Sequence, residues 1–171
     1  MEHLGGRDGF EGFDRLWTPH RMAYVAAPAD EDEGCPFCRM LERPDEETLV
    51  VRRGQTAFAV LNLHPYNPGH LMVVTRRHVG ELEDLTDDEA GELMEMTRQA
   101  VRVLKQVSGP HAFNVGLNLG GVAGGSLSDH LHQHVVPRWS GDANFITVTA
   151  GTKTLPQLLH DTRRLLADAW D

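Results

Sequence analysis

"HLHQHVV", residues 130–136, sets a histidine at every second position of one short run. An extended chain turns alternate side chains to opposite faces, so His130, His132 and His134 share one face while Leu131, Gln133 and Val135 share the other. One imidazole on a strand is more often a hydrogen-bonded bystander than a catalyst. Three in register are a stronger signal, because neutral imidazoles contribute little to a core. Upstream, "FNVGLNL" (113–119) alternates strictly, with Phe113, Val115, Leu117 and Leu119 on one face and Asn114, Gly116 and Asn118 on the other. Two alternating runs joined by the glycine-rich "GGVAGGSLSD" (120–129) predict partner strands.

Working outward, "TLVVRRGQTAFAVLNL" (48–63) is β-rich and interrupted by Arg-Arg-Gly-Gln, which predicts a hairpin. "HPYNPGH" (64–70) has turn composition, and "LMVVT" (71–75) is another strand. "LTDDEAGELMEMTRQAVRVLKQVSG" (85–109) predicts a long helix. Thr86 and Glu89 have capping-box spacing, Leu93, Ala100, Val101, Leu104 and Val107 form an apolar stripe, and Gly109-Pro110 stops the helix. A strand-like "ITVTA" (146–150) precedes a last helix in "LPQLLHDTRRLLADAW" (155–170). The expected fold class is α+β: an antiparallel sheet with a long helix and a C-terminal helix packed on it.

A chain of 171 residues can bury one core, and no stretch approaches the apolar run of about 18–20 residues that a membrane-spanning helix needs. The first residues carry neither a basic nor an apolar leader segment, so a cytoplasmic protein is expected. A formal net charge of -9 argues against a sequence-independent nucleic-acid binder. Residues 1–34, rich in Gly, Pro and acid, are expected to be an arm, with the domain proper at 35–171. Within the arm, "LWTPHRMAYV" (16–25) is an aromatic cluster of the kind that docks on its own domain or on a partner subunit.

One metal held by all three histidines is excluded on distance. At a strand's rise, the Cα atoms of His130 and His134 are roughly 13 Å apart, too far for two nitrogens that must both lie about 2 Å from one ion. A site of two histidines and a downstream glutamate also fails, because no Glu follows His134. Phosphate chemistry fits better. Gly120, Gly121, Gly124 and Gly125 can turn backbone N–H groups inward as an anion nest, and a neutral imidazole is a competent nucleophile toward phosphorus. Cys35 and Cys38 form a C-x-x-C knuckle that needs two further ligands for tetrahedral zinc. The alternative is a reduced pair packed in a turn. No thioredoxin-like βαβ pattern surrounds it to suggest a redox dithiol.

"HLHQHVV" resembles the signature of the histidine-triad (HIT) superfamily, in which histidines alternate with apolar residues, with Gln133 standing at an apolar position. The resemblance extends over "NLHPYNPGHLMVVTRRHVGELEDL" (62–85) and "FNVGLNLGGVAGGS" (113–126), roughly residues 35–139, so the α+β fold is expected to be HIT-like. Within the superfamily, "LWTPHRMAYV", "CPFC", "AGGS", "HVVPRWSGDANFI" and "PQLLHDTRRLL" are most similar to the branch that phosphorolyses diadenosine tetraphosphate (Ap4A). That resemblance implies a nucleotidyltransferase that splits a nucleotide substrate with inorganic phosphate into ATP and ADP through a nucleotidyl-histidine. It implies His132 as nucleophile, with His134 and His130 as the other triad members and His134 contacting the transferred phosphate or leaving oxygen. It also places Gly125, Ser126 and Asn118 on the phosphates, His70 at the pocket edge, Asn62 on the ribose hydroxyls and Trp139 as a candidate platform. Relatives with zinc add the equivalents of His78 and His130 to the cysteine pair, giving Cys35, Cys38, His78 and His130. Magnesium would accompany the polyphosphate, since no carboxylate cluster argues for a protein-held ion. A homodimer or homotetramer is expected, without nucleic acid or membrane as partner. The alternative activity is hydrolysis of dinucleoside polyphosphates or nucleoside phosphoramidates, and outside catalysis a nucleotide sensor or interaction module.

Overall fold

The computed structural model describes residues 34–123, 127–142 and 157–170. The N-terminal arm with its aromatic segment, Gly124 to Ser126, and the strand-like 146–150 lie outside the described residues. Two short helices open the domain, α1 (Pro36–Met40) and α2 (Asp45–Thr48), neither anticipated from the sequence. The strands β1 (Val50–Arg53), β2 (Ala57–Leu61) and β3 (Leu71–Thr75) follow, then the long helix α3 (Asp87–Ser108). Strand β4 (Ala112–Leu117), strand β5 (His132–Arg138) and helix α4 (Leu159–Asp168) complete the order.

The five strands form one antiparallel sheet in the order β1-β2-β3-β5-β4. The last of the described strands thus sits between β3 and β4, with His132 opposite Val74 and His134 opposite both Met72 and Gly116. Strands β2 and β3 are buried at every position, the pattern of central strands covered on both faces.

Helix α3 begins where the sequence predicts. Thr86 accepts from the Glu89 N–H, and the Glu89 carboxylate accepts from the Thr86 N–H in return. Gly109 closes the helix with φ +55°, a left-handed C-cap that glycine adopts without steric cost. Its buried face is Leu93, Met96, Thr97, Ala100, Val103 and Leu104, so Met96 and Val103 join the predicted stripe while Val101 and Val107 lie at its margin. Each large apolar side chain buried this way contributes about 1.5–3 kcal/mol. Helix α4 closes the β1 side: Leu166 and Trp170 enter the core, and Arg163 Nε donates to the Val50 carbonyl at 2.8 Å.

The Pro68-Gly69-His70 turn has a local cause. Gly69 has φ +74°, and a Cβ there would lie 3.0 Å from Leu104 Cδ2, so a side chain would be strained in the backbone and would crowd Leu104. Buried Asn67 donates to the Pro137 carbonyl at 2.8 Å and to Asp142 at 2.7 Å, which ties the turn to the far end of β5.

Gln133, the departure from an apolar pattern, turns to the helix face as strand parity requires and donates to Thr97 Oγ1 at 2.8 Å. Thr97 in turn donates to the Leu93 carbonyl. The alternation of β4 has a different outcome. It is an edge strand, and Val115 on its apolar face remains 47% exposed.

Candidate functional site

His130, His132 and His134 stand on one face of the chain entering and forming β5, and each ring has a different set of partners. His132 Nδ1 lies 2.8 Å from the carbonyl oxygen of His130. A carbonyl only accepts, so Nδ1 carries the hydrogen and Nε2 keeps the lone pair. Burial pushes the imidazole below its ordinary pKa and the carbonyl bond opposes that shift, leaving a neutral ring at pH 7. The ring is 8% exposed and packs between Phe37, with centroids 5.2 Å apart, and His134 at 5.1 Å.

His134 is oriented by His70. The Tyr66 backbone N–H donates to His70 Nδ1 at 3.1 Å, so His70 presents Nε2–H to His134 Nδ1 at 2.9 Å. A neutral His134 that accepts at Nδ1 carries its own hydrogen on Nε2, the nitrogen 3.5 Å from Asn118 Nδ2. Burial, reinforced by His134 and then His132, pushes His70 down to about 3. His70 was expected at a pocket edge. It is 0% exposed and supports His134 from beneath, because the Asn67–Gly69 turn folds it under the strand.

Asn62 lies half-buried beside this pair, its Oδ1 accepting from the His64 N–H at 2.9 Å and its Nδ2 at 3.4 Å from His70 Nδ1. Asn118 follows β4 on the histidine side, as alternation predicts. Trp139 does not join the histidines. One residue past β5 it turns to the other face, where Nε1 donates to the Ser108 carbonyl at the end of α3 and the ring lines a cavity with Pro68, Gly69 and Leu165. Gly125 and Ser126 lie outside the described residues. Sequence reasoning missed Phe37 and Tyr66, whose rings pack on His132 and His70. Phe37 carried a usable signal, being the apolar residue inside the C-x-x-C knuckle.

The first histidine belongs to a second constellation. Ligand atoms of Cys35, Cys38, His78 and His130 all lie within 4.8 Å of one another. His130 Nε2–H donates to the Thr75 carbonyl at 2.7 Å, which leaves Nδ1 to face the sulfurs of Cys35 at 3.2 Å and Cys38 at 3.7 Å. His78 Nδ1 is 3.4 Å from Cys38 Sγ. Two ligands of a tetrahedral zinc, one sulfur and one nitrogen, are separated by roughly 3.6 Å, so the set has the dimensions of a metal centre before any ion is placed in it. The carbonyl bond that fixes the His130 tautomer is the usual outer-shell partner of a ligating histidine. Among the described residues no other group of three or more His, Cys, Asp and Glu converges.

A HIT domain family model matches residues 43–141. The chain is 60% identical to AP-4-A phosphorylase of Mycobacterium tuberculosis over 98% of its own length and 88% of that protein. It is 36% identical to the asymmetrical bis(5'-nucleosyl)-tetraphosphatase of Schizosaccharomyces pombe over 54% of this chain and 50% of that one. Among solved structures, a Zn-bound histidine triad family protein from Mycobacterium smegmatis superposes with a TM-score of 0.66 at 23% identity, covering 80% of this chain and 93% of that one.

Proposed function

The chain belongs to the HIT family, and from that premise we propose that it is a nucleotidyltransferase that phosphorolyses diadenosine tetraphosphate to ATP and ADP. The observation that carries the reading is the bond from His132 Nδ1–H to the His130 carbonyl, which leaves Nε2 unprotonated. Near-full-length identity to AP-4-A phosphorylase supplies the substrate.

In the first step His132 Nε2 attacks the α-phosphorus, a P–N bond forms, and the bond to the bridging oxygen breaks to release ATP. His134, held by His70, hydrogen-bonds the leaving oxygen or the transferred phosphoryl group. In the second step an oxygen of inorganic phosphate forms a bond to phosphorus, the P–N bond breaks, and its electron pair returns to Nε2 as ADP leaves. Asn118 and the Gly125–Ser126 loop contact the phosphates, and Asn62 contacts the ribose.

Cys35, Cys38, His78 and His130 would hold a structural zinc, whose chemistry is to cross-link α1, the segment after β3 and the start of β5. His130 is thereby a ligand, and His132 and His134 remain for phosphate. The two cysteines are not joined in a disulfide, which suits a reducing cytoplasm. No described helix is long and apolar enough to cross a membrane. Among the described residues no strand pairs with the outer edge of β4, and Val115 there is exposed, which supports a homodimer or homotetramer, testable by light scattering.

Product analysis tests the activity. ATP plus ADP formed only when phosphate is supplied supports phosphorolysis, whereas AMP or symmetrical ADP formed without phosphate supports a hydrolase. His132→Gly is expected to abolish turnover and capture of labelled AMP, and retention of either refutes the nucleophile.

A further inference from the structure

A two-step exchange constrains where its second substrate can enter. Each displacement at phosphorus is in line, so the acceptor approaches opposite the bond to be broken. Once the nucleotide is bonded to His132 Nε2, the acceptor comes from the place the leaving group has vacated.

One direction along β5 is closed. Toward the cysteines, His132 meets the buried ring of Phe37 and then buried His130. The other direction opens past His134 into a cleft of about 390 Å³, walled by Tyr66, Asn114, Asn118, Val136 and Arg138.

Two features of its walls bear on what it can hold. Gly116 stands opposite His134 in the register, in the middle of a strand, where glycine costs about 0.5–1 kcal/mol relative to alanine. Its φ is not in the left-handed region, and a Cβ there would meet nothing within 4 Å. Neither backbone nor packing requires a bare residue, the situation in which a strand glycine leaves room for a ligand or another backbone to approach closely.

The second feature is the orientation of Asn114 and Arg138. Arg138 Nε and Nη2 donate to the Asp142 carboxylate at 2.6 and 3.1 Å, and Nη1 donates to Asn114 Oδ1 at 2.7 Å. A guanidinium only donates, so the Asn114 carboxamide is fixed with oxygen toward Arg138 and its NH₂ group left to the cleft. Asp142 offsets the arginine's charge, and what remains is a set of oriented N–H donors in a chain of net charge -9.

We infer that this cleft is the acceptor site, which seats inorganic phosphate for the second displacement and the departing polyphosphate in the first, with Asn114 and Arg138 favouring phosphate over water. The inference rests on the phosphorolytic reading above. An oxygen of hydrogenphosphate, which needs no proton removed, bonds to phosphorus as the P–Nε2 bond breaks, and the pair returns to His132.

The test loads His132 from an adenosine phosphoramidate, whose leaving group is too small to occupy the cleft, and chases the labelled enzyme with phosphate. The readout is the ratio of ADP to AMP. For Asn114→Asp, which keeps the size and the Arg138 contact but replaces donors with charge, the ratio at fixed phosphate is expected to fall at least tenfold. Gly116→Val, which fills the cleft from its floor without touching that network, is expected to lower the ratio similarly and covers a folding failure of the first variant. Unchanged ratios in the folded variants, against a wild type that makes ADP, overturn the acceptor site alone. A wild type that releases only AMP at every phosphate concentration overturns the phosphorolytic reading, and the inference with it.

Discussion

Gln133 and Thr97 lend themselves to a double-mutant cycle. They are 5% and 4% exposed and joined by a 2.8 Å hydrogen bond across the interface between β5 and α3. Thr97→Val removes the acceptor and leaves a buried amide donor unpaired, a loss of about 1–3 kcal/mol. Gln133→Met removes the donor, but the Thr97 hydroxyl still donates to the Leu93 carbonyl at 2.8 Å. The loss there is expected at about 0.5–1 kcal/mol, the net worth of one neutral hydrogen bond. The double variant replaces a satisfied polar pair by two apolar side chains of similar shape and is expected within about 1 kcal/mol of wild type. The single losses would then overshoot the double by about 0.5–4 kcal/mol. Urea unfolding at fixed zinc reads this as midpoints at constant slope. Additivity within about 0.5 kcal/mol would refute the coupling. Turnover in the double variant is expected to persist, because both side chains lie on the face opposite His132 and His134.

Three further expectations concern the metal set, acid stability and a turn. Cys35→Ser is expected to lower bound zinc well below one equivalent and to reduce the melting temperature, read by elemental analysis and thermal unfolding; unchanged metal content would remove Cys35 from the ligand set. His70 has a folded pKa of about 3, below its ordinary 6.5, so the unfolded chain takes up that proton first as pH falls. Its contribution to stability is complete above pH 6.5 and is lost between there and pH 3. His70→Gln is expected to flatten the pH dependence of the urea midpoint in that window, and an unaltered slope would contradict the assignment. Glu92 accepts backbone N–H bonds from Gln55 at 2.8 Å, Thr56 at 2.5 Å and Ala57 at 3.2 Å, holding the β1–β2 turn. Glu92→Gln is expected to cost about 1–3 kcal/mol in urea unfolding, since an amide offers one acceptor oxygen where the carboxylate offers two.

Strand parity made most of the arrangement legible. It assigned three histidines to one face and Gln133 to the other, and applied one step further it would have separated Trp139 from the histidines. Parity gives faces but not what covers them, which is why the apolar side of β4 reads like a core strand while Val115 is half-exposed at a sheet edge. The partner of Gln133 lies 36 residues away on a helix, and only packing reveals it. His70 reads as a pocket-edge histidine after a turn until the Asn67 bonds to Pro137 and Asp142 fold that turn beneath β5. The C-x-x-C spacing marked a candidate ligand pair. The tautomer that aims His130 Nδ1 at the sulfurs depends on the Thr75 carbonyl, contributed by another strand.

The strand order β1-β2-β3-β5-β4 bears on how the chain is born. As the chain leaves the ribosome, β1, β2 and β3 can zip together by neighbouring hairpins, but β4 emerges with no template beside it. Only when residues 132–138 appear can they slide between β3 and β4 and satisfy both edges at once. The same insertion brings His130 to Cys35, synthesised 95 residues earlier. A nascent chain stalled before that point presents the apolar edge of β3 to whatever strand it meets. Delivery of His132 and closure of the sheet are a single event.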